Sequence, residues 1–151
     1  MRAVVQRVSR ARVDVHGETT GSIDHGLLVF LGVDRDDEES DLEWLIGKII
    51  GLRIFEDDAG RMNDSVCETG GGILVISQFT LFGNLRKGTR PSFNRATDPE
   101  VAERTYQRFL QRMGDELGRP VQSGRFGASM QIDALNEGPV TIVIDSKDKR
   151  F

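Results

Sequence analysis

Ile73-Leu74-Val75-Ile76-Ser77-Gln78-Phe79-Thr80-Leu81-Phe82-Gly83 follows three consecutive glycines, Gly70 to Gly72. Four aliphatic residues in a row are the pattern of a strand buried on both faces. The run turns polar at Ser77 and Gln78 and apolar again at Phe79. Buried polar groups need partners. An adjacent Ser-Gln pair therefore marks either the strand's exit from the core, with a loop beginning at Gly83, or a functional site. A second continuous apolar run, Leu27 to Val33 after Gly26, also reads as a strand buried on both faces.

The segments around these two runs read as shorter elements. Residues 2–16 alternate loosely, with Val4, Val13 and Val15 among arginines, and predict two short strands. His16-Gly17-Glu18 is a turn into a third strand at Thr19 to Ile23. Leu42, Leu45, Ile46, Ile49 and Ile50 fall on one helical face, with Ser40 and Glu43 as a capping box and Gly51 as the stop. Leu52 to Phe55 reads as a strand and Asp57 to Gly60 as a turn. Thr97 and Glu100 predict a second capping box, with Pro99 in the first turn. Ala102, Tyr106, Phe109, Leu110, Met113 and Leu117 then share a face up to Gly118 and Pro120. Val121 to Phe126, Ser129 to Leu135 and Val140 to Asp145 complete the strands. Two helices inserted among strands, without βαβ alternation, predict an α+β domain. We expect a single compact domain over 1–151, with a mostly antiparallel, barrel-like β core, two amphipathic helices and a charged tail at 146–151.

Composition narrows the functional classes. At 151 residues, 38% hydrophobic and 29% charged, the chain is an ordinary globular sequence with enough length for one core. No apolar run has the length of a membrane span, and the N-terminus lacks a signal-peptide core. One cysteine, Cys67, permits no internal disulfide and suits a reducing cytoplasm. A net charge of −4 argues against non-specific coating of nucleic acid. The basic residues nevertheless cluster: Arg2, Arg7, Arg10 and Arg12; Arg86, Lys87, Arg90 and Arg95; Lys147, Lys149 and Arg150. Such clusters permit a local phosphate-binding face or a solvated surface.

Conventional catalytic equipment is missing. Ser77 lies outside any nucleophile-elbow pattern, and the two histidines, His16 and His25, fall in turn segments. Neither zinc nor calcium spacing occurs, and there is no P-loop or dinucleotide fingerprint, so no metal or cofactor is expected. Two stretches stand out: Ser77-Gln78-Phe79-Thr80 and Asn136-Glu137-Gly138-Pro139-Val140-Thr141. Backbone N–H groups near Phe79 and Thr80 suit stabilisation of an oxyanion without a titrating side chain. Gly138-Pro139 is a turn signal and also a place where a cis peptide is accessible.

Ser77 to Leu81 together with Asn136 to Thr141 resembles the motif pair of the D-aminoacyl-tRNA deacylase family. The resemblance extends to Met1 to Val8, Gly26 to Val29, Arg53 to Phe55, Arg90 to Phe93 and Gly124 to Phe126. It departs from the commonest pattern at Phe82, where tyrosine is frequent, and in the charged tail. The family resemblance implies a cytoplasmic homodimer with active sites at the subunit interface, acting on the aminoacyl-tRNA 3′ end in translation proofreading. Its members hydrolyse the ester between a D-amino acid, or glycine, and the terminal ribose. It further implies that Ser77, Gln78, Phe79 and Thr80 hold the aminoacyl group, their main-chain N–H groups polarising the ester. Gly138 and Pro139, joined by a cis bond and supplied by the other subunit, would obstruct an L side chain, with Arg7 bracing their loop and Asn136 in the same motif. The neighbouring 2′-hydroxyl of the RNA would assist, and the Thr80 backbone is favoured over its hydroxyl. Three other readings compete: a related branch that clears L-alanine, a non-catalytic tRNA-end or small-ligand module, and a hydrolase pairing Ser77 with a histidine.

Overall fold

A computed structural model describes residues 1–149. Its elements are β1 (Arg2–Val15), β2 (Glu18–Ile23), β3 (Gly26–Gly32), α1 (Glu39–Ile50), β4 (Phe55–Glu56), β5 (Met62–Asp64), β6 (Gly72–Ser77), α2 (Pro99–Leu117), β7 (Gln122–Ser123) and β8 (Gln131–Asp145). The main sheet runs β2-β1-β3-β6-β7, and β8 pairs with the other edge of β1. Strand β1 is antiparallel to β2, β3 and β8, whereas β6 is parallel to both β3 and β7. The sheet curls until β2 lies against β7, so a Cβ on Gly21 would fall 2.6 Å from the Ser123 carbonyl oxygen. The expected α+β architecture, a barrel-like β core with two helices, is the one observed.

The continuous apolar runs are explained by two cores on opposite faces of one sheet. Leu27, Val29, Leu31, Ile73 and Val75 face α1 and α2, and join Leu45, Ile46, Ile49, Tyr106 and Phe109. Their neighbours Leu28, Leu74 and Ile76 point into the curl, against Val8, Ala11, Val13 and Ile23. Successive side chains of a strand alternate faces, so a strand covered on both sides is apolar throughout. Tyr106 ties α2 to β6: its buried hydroxyl donates to the Val75 carbonyl at 2.8 Å. Burial pushes this phenol up to about 12, against a hydrogen bond to Ser123.

Several boundaries differ from the sequence-based expectation. Residues 2–15 form one strand, because bulges after Gln6 and Val8 shift the phase of its ladder with β8 and let Arg7 and Val8 both be buried. Residues 131–145 are likewise one strand, with Gly138-Pro139 absorbed as an irregularity in its ladder. The buried strand stops at Ser77, and Phe79–Phe82 form a 3₁₀ turn in place of further strand. Helix α1 is capped two residues earlier than expected, by Glu38, whose N–H donates to Asp41 at 2.9 Å. Asp98, directly before Pro99, caps α2 in place of Thr97 by accepting from the Glu100 N–H at 3.0 Å. Strand β7 is only two residues, β4 begins at Phe55, and β5 had no signal in the pattern.

The segment after β8 is fastened to this frame. The Ser146 N–H donates to the Met1 carbonyl at 2.9 Å, and Lys147 Nζ reaches Asp41 Oδ2 at 2.5 Å. Of the expected charged tail, Arg150 and Phe151 lie outside the described residues. Burial works to raise the Asp41 carboxyl, but hydrogen bonds from Lys147, the Glu38 N–H and Ser146 outweigh it and bring it down to about 2. A carboxyl depressed in the folded state stabilises it above the unfolded value, 3.8, and loses that contribution as pH falls through about 2. Asp41→Asn is therefore expected to lower stability at neutral pH by about 1 kcal/mol. The gap in urea midpoint from the parent protein should close between about pH 4 and pH 2.

Candidate active site

The break in the hydrophobic pattern at Ser77 is where β6 leaves the sheet. Opposite it, β3 ends at Gly32, and a Cβ there would sit 2.9 Å from the Phe82 ring and 3.1 Å from the Gln78 carbonyl oxygen. The missing side chain lets the 3₁₀ turn close over the strand end. The Gln78 N–H makes the last ladder-like bond, to the Leu31 carbonyl at 2.7 Å. The Leu81 N–H then bonds back to Gln78 at 3.3 Å, and that of Gly83 to Thr80 at 2.9 Å. The Phe79 and Thr80 N–H groups, at the start of the turn, have no acceptor among the described residues. Arg2 holds the turn from below, donating to the Leu81 carbonyl at 2.7 Å and to Asp145 at 2.7 Å.

Beside this turn lies a cavity of about 440 Å³, a size suited to a small ligand. Ser77, Gln78 and Phe79 form one side, Ala96, Thr97 and Ala102 a second, and Phe126, Ala128, Met130 and Ile132 a third. It is mostly apolar, and no carboxylate, lysine, arginine or histidine lines it. Phe79 is 56% exposed at the rim and meets Phe93 edge to face at 5.1 Å. Gln78 donates to the Thr80 hydroxyl. Among the described residues the Ser77 hydroxyl has no hydrogen-bond partner, and neither histidine approaches it. His16 occupies the β1–β2 turn with φ 51°, and His25 packs on Phe55 at 5.3 Å. The arrangement offers main-chain donors and an apolar cleft, without a side-chain base.

The second motif is elsewhere in the chain. The Gly138-Pro139 bond is cis and lies in the irregular stretch of β8 opposite Arg7. Arg7 is 7% exposed; its Nη1 donates to the Ile54 carbonyl at 2.6 Å and its Nε to the Glu137 carbonyl at 3.2 Å. Asn136 clamps the same stretch from within, donating to the carbonyls of Arg7 at 3.3 Å and Val140 at 3.1 Å. Gly138 and Arg7 line a separate hollow with His25, Phe55, Glu56 and Thr69, which shares no residue with the cavity at Ser77. The register from Ser77 through Leu31 and Ala3 reaches β8 at Ile144, three strands across and six residues from Gly138. Three strand spacings alone are roughly 14 Å. One chain does not bring the two motifs together.

Residues 4–145 match the model of the D-Tyr-tRNA(Tyr) deacylase family. The chain belongs to this family. Its relatives include proteins called D-aminoacyl-tRNA deacylase from Opitutus terrae, 63% identical with 97% of each chain covered, and from Natranaerobius thermophilus, 52% identical with 99% of each covered. A solved structure described as c-Myc DNA unwinding element binding protein superposes with TM-score 0.89 at 42% identity, covering 96% of this chain and 98% of that one. Another, described as a probable eukaryotic D-amino acid tRNA deacylase, has the same fold, with TM-score 0.79 at 21% identity over 95% and 97%.

The family match spans both motifs and every wall of the cavity. The sequence pattern gives no site signal for Ala96, Ala128 or Met130 and offers Thr97 only as a helix cap, since small and apolar residues in connecting segments carry no periodicity. A pointer was present in the Arg125-Phe126-Gly127 turn, where Gly127 has φ 71°. Removing the Arg7 side chain strands two carbonyls at a buried charge site. Arg7→Ala is expected to cost about 2 kcal/mol in urea unfolding, and Arg7→Lys less.

Proposed function

We propose that this protein hydrolyses the ester joining a D-amino acid to the 3′-terminal ribose of tRNA, and in the same way glycine from tRNA, as a cytoplasmic proofreading enzyme of translation. The observation that carries the mechanism is the pair of N–H groups at Phe79 and Thr80, without an acceptor among the described residues, beside an apolar cavity. A carbonyl oxygen placed between them gains charge as water adds to the ester, and preset donors favour that charge over the ground state. Losing one such donor typically costs 10²–10³-fold in rate. The aminoacyl group occupies the cavity, and the RNA's own 2′-hydroxyl assists the leaving oxygen from an adjacent position. Ser77, Gln78, Phe79 and Thr80 contribute chiefly backbone; Thr80 acts through its N–H.

Chirality is set by a second copy of the chain. Gly138-Pro139 of that copy lies over the cavity mouth, its carbonyls near the substrate's α-amino group. An L side chain points into this obstruction, a D side chain away from it, and glycine has none to exclude. Arg7 and Asn136 hold the obstruction in place. The form of β8 supports such a homodimer: from Gln131 to Thr141 it is exposed or half-buried on both faces, with Ile132, Leu135 and Val143 open to solvent. A strand paired on one edge with apolar side chains uncovered is a surface suited to burial against another subunit.

The deciding assay follows release of tyrosine from one tRNA charged in parallel with the D- and L-forms. Catalytic release of the D-form alone is expected; equal release of both would remove the chiral obstruction, and binding without turnover would leave a binding module. Ser77→Ala should retain activity within about tenfold, whereas a serine nucleophile would lose roughly 10⁶-fold.

A further inference from the structure

Most basic side chains of this acidic protein are committed to internal partners. Arg2 is held by Asp145 and the Leu81 carbonyl, Arg7 by Ile54 and Glu137, and Arg12 by Asp14 at 3.1 Å. Lys147 pairs with Asp41, and Lys149 lies over the Trp44 ring at 5.3 Å. On the helices, Arg108 and Arg112 pair with Glu39 and Glu43, both at 2.7 Å. Two of the three basic clusters in the sequence are thus largely spent.

The remaining cluster has a different setting. The Asn84 and Ser92 N–H groups each bond the other residue's carbonyl, at 2.8 and 3.1 Å, and close a hairpin that starts two residues after the 3₁₀ turn ends. Arg95, at its base, is taken by Asp34. Arg86, Lys87 and Arg90 are exposed, and among the described residues their side chains form no hydrogen bond or ion pair. From Gly83 to Arg95 there is no Asp or Glu, in a chain whose net charge is −4. The Phe79–Phe93 contact joins the hairpin's root to the rim of the cavity. Three residues of extended chain span about 10 Å, so the free cations stand beside the cavity mouth.

We propose that this hairpin grips the phosphodiester chain of the substrate RNA just before the ester-bearing nucleotide. The inference rests on the deacylase reading and adds which surface holds the RNA. Arg86, Lys87 and Arg90 supply affinity through released counterions and leave the chemistry at Phe79 and Thr80 untouched.

The test compares D-tyrosine esterified to full-length tRNA with D-tyrosine esterified to adenosine, across about 50 to 200 mM salt. For the Arg86→Gln/Lys87→Gln/Arg90→Gln variant, kcat/KM on charged tRNA should fall at least tenfold at the low-salt end. The slope of log kcat/KM against log salt should shrink by roughly 2, at about 0.7 per cation on a single strand. The adenosine ester should be cleaved at the parent rate. An unchanged salt slope would overturn the proposal. So would equal losses on both substrates, which would make the hairpin part of the cavity. Flattening by Arg104→Gln in place of the triple variant would move the grip to α2. If the parent protein cleaved neither ester, the deacylase reading would fail by itself, and the salt slope of uncharged-tRNA binding by parent and variant would decide the hairpin's role.

Discussion

The bond from the Gln78 N–H to the Leu31 carbonyl, 2.7 Å long, is where the sheet hands over to the site. Up to that point β6 pairs along its whole length with β3 in a parallel ladder and lies between two cores. Immediately after it the chain winds into a 3₁₀ turn, whose opening N–H groups cannot find an acceptor inside the turn. Two main-chain donors are therefore left at the strand's end, beside the cleft, without spending a side chain. Donors held by a sheet need no reorganisation when charge develops in front of them, which is the condition under which main-chain hydrogen bonds stabilise an oxyanion best.

The same economy governs the second motif. Arg7 is a buried cation with no carboxylate in close contact; its best bonds are to two carbonyl oxygens, with the Glu137 carboxylate at 3.8 Å. A buried charge is tolerated only where its donors are met, so the bulge that brings Arg7 inward and the irregularity that presents Glu137 are one construction. Asn136 completes it from the other side. The segment between them is fixed from within its own chain, yet faces away from that chain's cavity. On the proposed reading, a gate built on one subunit and used by another would be rigid before substrate arrives.

Charge is sorted by the same criterion of commitment. Asp145 lies below the usual carboxylate range although burial works against it, because Arg2 and the Lys147 N–H hold its ionised form. Asp41 behaves alike with Lys147. The first pair fastens the start of β1 to the end of β8, the second fastens α1 to the segment after β8, and both consume basic groups. Among the described residues, Arg86, Lys87 and Arg90 stay unpaired near the cavity, in a hairpin with no acid in it. A protein with net negative charge can in this way keep a local positive field where a polyanion must approach.

The amino-acid pattern by itself determined the two helices, the double-faced burial of β3 and β6, and the two segments, Ser77 to Thr80 and Asn136 to Thr141, where the hydrophobic logic breaks. These are local properties: a 3.6-residue or unbroken apolar period, and polar groups where a core strand should have none. The tertiary structure alone decided that residues 2–15 and 131–145 are single strands, since bulges re-phase the alternation without changing composition. It alone decided that the chain after Ser77 turns rather than extends, because that depends on Gly32 clearing space from another strand. The separation of the two motifs across three strands, and the uncommitted state of Arg86, Lys87 and Arg90, are likewise invisible in the pattern. Which charges find partners depends on distances between residues far apart in the chain, and those distances exist only once the sheet has closed.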